Sequence, residues 1–173
     1  MIKTRINKLK RMFKTLGIDG YVIPKNDEFF SEYSKENRLK KISNFSGSAG
    51  YAIILKNKNY LFVDGRYTIQ AQIESKKNFS IEEYHKIINC NLFKNLKIGF
   101  DPKLFTSHQI KSFFLENNYV KPISHNLIDK IENKKKILSK PFFSLDKKIV
   151  GESHHKKLKK ISNFLKKQKI RYL

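Results

Sequence analysis

One cysteine, Cys90, is all the chain of 173 residues contains, which excludes an internal disulfide and fits a reducing compartment. No run approaches the ~20 consecutive apolar residues that cross a bilayer as a helix. Met1 to Leu16 is basic, with Ile2, Ile6, Leu9, Phe13 and Leu16 near helical spacing. It lacks the continuous apolar segment of a secretory signal and reads as a docked first helix, an organellar presequence being the alternative. Acidic residues are scarce, 15 against 37 basic ones, for a net charge of +22. Arginine is scarcer still: Arg5, Arg11, Arg38, Arg66 and Arg171 are the full set. Base-reading proteins rely on arginine for its bidentate match to guanine. Lysines spread along the whole chain read instead as solvated faces, and polyanion binding is the second reading. The five histidines include no pair at the i, i+4 spacing of a helical metal site. His154 and His155 are adjacent, which on a helix directs them about 100° apart and away from a shared ion. The sequence therefore predicts no metal site.

What is present concentrates between Asn44 and Gln72. Tyr51–Leu55 and Tyr60–Val63 are short β-prone runs separated by Lys56-Asn57-Lys58-Asn59, the pattern of a β-hairpin. Neither run alternates, so both strands are expected to be covered on both faces. Ser46-Gly47-Ser48-Ala49-Gly50 before the first strand lacks the Gly-Lys-Ser/Thr and following helix of a phosphate loop. It reads as a tight turn in which small residues admit close packing. The hairpin ends at Asp64-Gly65, a turn that glycine eases. Arg66 then opens a helix carrying Tyr67, Ile69, Ala71 and Ile73. One guanidinium thus sits on a constrained corner, a planar set of donors for a carboxylate or carbonyl.

Along the chain, a helix at 2–16 stops at Gly17, and Ile18 to Pro24 reads as a strand ended by its proline. A short helix is expected around Asn37–Asn44, within an otherwise polar stretch. Ser80–Ile88 is read as extended and Lys97–Phe100 as a strand; a helix capped by Thr106 or Ser107 reaches Asn117. Tyr119–Ile123 is extended and Asn126–Ile131 a short helix. The expected fold class is α/β, a mixed β-sheet flanked by helices. Ser153–Gln168 then repeats the pattern of the first helix, and Ile170 to Leu173 that of the first strand. The expected organisation is a domain at 1–133, a linker at 134–144, and the incomplete start of a second similar domain at 145–173.

Five segments in order carry a family resemblance. They are Asp27 with Ser31-Glu32-Tyr33, Asn44 to Gly50, Val63 to Tyr67 with Gln70-Ala71, Gly99 to Pro102, and Asn126 to Ile131. The chain resembles the creatinase-like amino-terminal domain of the aminopeptidase P family, the Xaa-Pro aminopeptidases. That resemblance implies the creatinase-like fold, followed in three-domain members by a second such domain and a catalytic domain. It also implies a cytoplasmic hydrolase, able to pair as a homodimer, that releases the residue before proline from peptides with proline at position two. Its two divalent metal ions, manganese or zinc, belong to the catalytic domain, so no catalytic residue and no cofactor is expected in this chain.

Within the chain the resemblance singles out Arg66, whose counterpart reaches into the catalytic cleft and contacts the peptide. The residues alone allow a second role, an ion pair with Asp64, Glu74 or another carboxylate that supports the turn; Tyr67 is expected in the core. Asp27, Glu28 and Glu32 could be paired carboxylates for acid–base work, but their polar setting favours exposed charges. Phe29-Phe30 stand where family members carry His-Gln, which withdraws polar groups from that loop. The alternative function, resting on charge alone, is a stand-alone basic α/β module that binds nucleic acid or another polyanion.

Overall fold

The computed structural model describes residues 1–31, 37–132 and 143–169. Two compact units appear, Met1–Lys134 and Lys135–Leu173. The first is built on α1 (Ile2–Leu16), β1 (Gly20–Pro24), α2 (Arg38–Ser43), β2 (Gly50–Leu55), β3 (Asn59–Val63) and α3 (Thr68–Ser75). It continues with β4 (Ser80–Glu83), β5 (Lys97–Phe100), α4 (Ser107–Phe114), β6 (Tyr119–Pro122) and α5 (Leu127–Glu132). Single 3₁₀ turns occupy Gly65–Tyr67 and Tyr84–Ile87. The second turn replaces the later part of the extended segment expected at Ser80–Ile88.

Six strands form one mixed sheet in the order β4-β3-β2-β1-β5-β6. β2 is antiparallel to β1 and β3, whereas β1–β5, β3–β4 and β5–β6 pair in parallel. Five strands therefore point one way and β2 alone returns. Every residue of β1 and β2 is buried, which explains their unbroken apolar sequence. On one face Tyr21, Ile23, Ala52, Ile54, Leu61 and Val63 meet the inner faces of α1, α2, α3 and α5. On the other, Val22, Ile53, Phe62 and Ile98 meet Ile110, Phe113 and Phe114 of α4.

The start of α1 carries no side-chain cap, and its stability comes from Ile6, Leu9 and Phe13, all buried. Gly17 closes it in the left-handed conformation, φ 59°, with its N–H on the Lys14 carbonyl at 3.2 Å. Asn37 caps α2 through the Lys40 N–H at 2.9 Å, and Thr106 with Gln109 forms a capping box on α4.

The second unit contains α6 (Lys147–Val150) and α7 (His154–Lys167), with Ser153 capping α7. Leu158, Ile161 and Leu165 repeat the spacing of Ile6, Leu9 and Phe13. The repeat extends to the helix end: Lys169 adopts φ 55° and donates its N–H to the Lys166 carbonyl at 3.0 Å, as Gly17 does to Lys14. Unlike its counterpart, this apolar face is open, Ile161 being 47% exposed against 0% for Leu9. The strand expected at Ile170–Leu173 and nearly all of the linker expected at 134–144 lie outside the described residues.

Candidate functional site at the carboxyl edge of the sheet

Because five strands run together, the segments that follow them gather along one edge of the sheet. In open α/β sheets this carboxyl edge is where ligands bind. The loop after β1, the turn before β2, the corner after β3 and the 3₁₀ turn after β4 all lie there.

Arg66 stands at that corner, with its side chain 73% exposed. Asp64 caps the 3₁₀ turn by accepting the Arg66 backbone N–H at 3.0 Å, and the same oxygen accepts the side-chain Nε at 2.9 Å. This contact holds the Asp64 carboxyl below its usual range. The guanidinium lies 5.5 Å from the centre of the Tyr67 ring. The supporting ion pair and an outward-facing cation are thus both present, since Asp64 orients the side chain without burying it. Glu74 is not part of the pair. Its carboxylate accepts the Ser46 N–H and hydroxyl, each at 2.7 Å, and the Gln70 amide at 3.2 Å. Partial burial raises the Glu74 pKa, but the Ser46 bonds outweigh it and leave the group below its ordinary value.

Those bonds fix the start of the Ser46–Gly50 turn on α3. A Cβ at Gly47 would lie 2.2 Å from Phe45 Cζ, and one at Gly50 2.9 Å from the Phe62 carbonyl oxygen. Small residues are required by close packing here, as their pattern suggests. Ser48 shares a 2.7 Å hydrogen bond with the Tyr67 hydroxyl. Tyr67 therefore packs its ring edge-on against Phe45, 5.9 Å between centres, while its polar end faces the edge of the sheet.

In the loop after β1, Asp27 Oδ1 accepts the backbone N–H groups of Phe29 at 3.0 Å and Ser31 at 2.9 Å. It is a turn former rather than an acid–base group. Glu28 binds Arg38, and Glu32 lies outside the described residues. Glu28 is exposed, as its polar setting suggests, and the ion pair gives it a partner.

Sequence reasoning missed Arg38. It begins α2 yet is 2% exposed. Nε and Nη2 grip both oxygens of Asp129 on α5 at 3.0 and 2.9 Å, and Nη2 also reaches Glu28 at 2.8 Å. Burial alone would favour the neutral form; the two carboxylates overcome it and raise the pKa. The signal was the rarity of arginine, because a two-pronged buried grip is the one task lysine cannot perform. Arg5 pairs through Nε with Glu132 and donates from Nη1 to the Lys41 carbonyl at 3.0 Å.

His154 and His155 correct another expectation. Their rings lie 4.0 Å apart at a 40° tilt rather than diverging. Among the described residues, no three His, Cys, Asp or Glu side chains converge as a metal site. The donor set here does not fit a two-metal centre. No helix among the described residues is long and apolar enough to cross a membrane.

A mixed sheet with this strand order, helices on both faces and an arginine corner at its carboxyl edge defines an α/β domain of the creatinase amino-terminal type. The chain belongs to the Creatinase/Prolidase N-terminal domain family, which matches residues 5–131. A probable Xaa-Pro aminopeptidase P of Laccaria bicolor is 33% identical over 95% of this chain and 28% of its own length. Xaa-Pro aminopeptidase 1 of Dictyostelium discoideum is 31% identical over 96% of this chain and 30% of its own. The chain thus spans under a third of the length of these curated relatives. Among solved structures, the X-prolyl aminopeptidase of Caenorhabditis elegans, described as a cytosolic enzyme with a di-nuclear active site, aligns with a TM-score of 0.71. That alignment covers 98% of this chain and 32% of the other at 24% identity. The Xaa-Pro dipeptidase of Bacillus anthracis aligns at 0.58 over 76% of this chain and 36% of its own, at 20% identity.

Proposed function

We propose that this chain is the amino-terminal, non-catalytic part of a Xaa-Pro aminopeptidase and that Arg66 positions the peptide. The observation that carries the proposal is an exposed guanidinium held in one orientation by Asp64 at the ligand-binding edge of a family domain. Two divalent metals, manganese or zinc, held by a portion the chain does not span, would activate water. Arg66 would meanwhile hold a carbonyl or carboxylate of a peptide with proline at position two. Residues 1–133 form the positioning domain in this reading, 134–144 the linker, and 145–173 the start of a second similar domain. The repeated apolar spacing and helix end of α7 support that division. A cytoplasmic setting and pairing into a homodimer belong to the same proposal.

The test replaces the matching first 30% of the Dictyostelium relative with this chain and measures release of the residue before proline. Hydrogen bonds to a charged group contribute about 1.5–3 kcal/mol, so Arg66→Ala should lower kcat/KM roughly 10- to 150-fold. An unchanged value in a folded, active chimera would remove Arg66 from the site.

A further inference from the structure

The second unit leaves a stripe of apolar side chains open. On α7, Leu158, Ile161 and Phe164 are 59%, 47% and 60% exposed, and Leu165 beside them is half-buried. At about 100° per residue these four share one side of the helix, roughly a third of its circumference. α1, with the same spacing, buries its stripe, Leu9 and Phe13 included, against the sheet. The neighbouring α6 offers no such cover. It is a single turn, and its own Ile149 is 70% exposed.

Charge of one sign frames the stripe. Residues 143–169 carry nine lysines against Asp146 and Glu152. Lys157 and Lys160 stand along one border and Lys159 and Lys166 along the other, with Lys156 and Lys167 on the opposite side. Glu152 engages Lys156 at 3.8 Å and Lys160 at 2.8 Å. Among the described residues no carboxylate pairs with Lys157, Lys159, Lys166 or Lys167. An apolar stripe between lysine borders fits a partner that is hydrocarbon within and negative at its surface. A lipid bilayer with anionic headgroups has that layering, and lysine stems reach from the apolar level to the phosphates. Nucleic acid would take the lysines and leave the stripe in water. A second copy of α7 would bring like charges together at both borders. With 14 residues against the ~20 needed to span, the helix lies in the plane of the headgroups.

We infer that α7 is a docking surface for an anionic lipid bilayer, with Leu158, Ile161 and Phe164 inserted below the phosphates and the flanking lysines upon them. The inference concerns an element other than the one that carries Arg66 and does not rest on the role of that residue.

The test mixes the purified chain with vesicles of phosphatidylcholine, alone or with about a third of phosphatidylserine, and measures the bound fraction by sedimentation. Each lysine near an anionic surface strengthens binding about fivefold, so the anionic vesicles should hold the chain at least about tenfold more tightly than the neutral ones. A net charge of +22 attracts the chain to such vesicles through any face, so two double variants of equal charge separate the stripe from charge. Ile161→Asp with Phe164→Asp should weaken binding at least about tenfold. Ile69→Asp with Ile73→Asp, both 78% exposed on α3, should weaken it less than about threefold. The chain has no tryptophan, so Phe164→Trp supplies a single reporter whose emission should shift to the blue on anionic vesicles only. No binding, equal binding to neutral vesicles, or equal losses in the two double variants would overturn the inference. So would a Phe164→Trp emission already blue in buffer, which would show the stripe covered by the chain itself or by a second copy.

Discussion

Substituting Arg38 with alanine puts the energetics of the fold to a direct test. Arg38 is 2% exposed, while Asp129 and Glu28 retain 18% and 38%. Truncation leaves a half-buried carboxylate on α5 without its cation and opens a void beneath α2. Breaking a buried pair typically costs about 3–5 kcal/mol. Solvent still reaches both carboxylates, which places this case near the lower end, about 3 kcal/mol. Urea slopes of about 1–3 kcal/mol per molar convert that loss into a midpoint shift of about 1–3 M. Arg38→Lys keeps the charge but surrenders the two-pronged grip, and should cost about 1.5–3 kcal/mol. Pairing Arg38→Met with Asp129→Leu removes both charges and should recover a large share of the loss, so the double-mutant cycle gives a strong coupling term. Far-UV circular dichroism against urea reads wild type, each variant and both single members of the cycle. A midpoint shift below about 0.3 M for Arg38→Ala would refute the assignment of this pair as a structural lock.

Leu9→Ala should cost about 2–5 kcal/mol, whereas Ile161→Ala, at the matching place on α7, should stay within about 0.5 kcal/mol; equal losses in urea melts would show that the α7 face is covered. Gly50→Ala should destabilise by about 1–3 kcal/mol, because its methyl meets the Phe62 backbone oxygen, and an unchanged Tm would contradict that packing. The Glu74 pKa is depressed in the folded chain. Its contribution is therefore full above the ordinary carboxylate pKa and fades as pH falls through the lowered folded value. Glu74→Gln should reduce stability at neutral pH by less than about 1 kcal/mol and converge with wild type in acid, as melts across pH would report. If a nucleic acid were the partner, filter binding to DNA and RNA would show an affinity that falls steeply with salt, the slope of several phosphate contacts; weak binding with a shallow slope is expected instead.

Much of the fold was legible because local signals agreed with the tertiary outcome. Ile6, Leu9 and Phe13 mark α1, Gly17 ends it, and the unbroken runs in the hairpin announce strands covered on both sides. Asn37 and Thr106 identify helix starts through caps that operate within three residues. Strand order was not legible, since the parallel pairing of Gly20 with Ile98 depends on contacts remote in sequence. The Arg66 corner was legible because its geometry is local, from Asp64 through Tyr67. The Arg38 lock joins α2 to α5 across 91 residues, and no local pattern encodes that reach. The α7 stripe was legible for the opposite reason, since Leu158, Ile161 and Phe164 fall within one helix.

The central claim is that this chain positions a peptide and leaves the chemistry to another part of the enzyme. Incubating the purified chain with Xaa-Pro peptides and added manganese or zinc measures this directly, with amino-acid release as the readout. No release above the buffer rate is the predicted result. Release that rises with the chain's concentration and stops on adding a chelator would contradict the account.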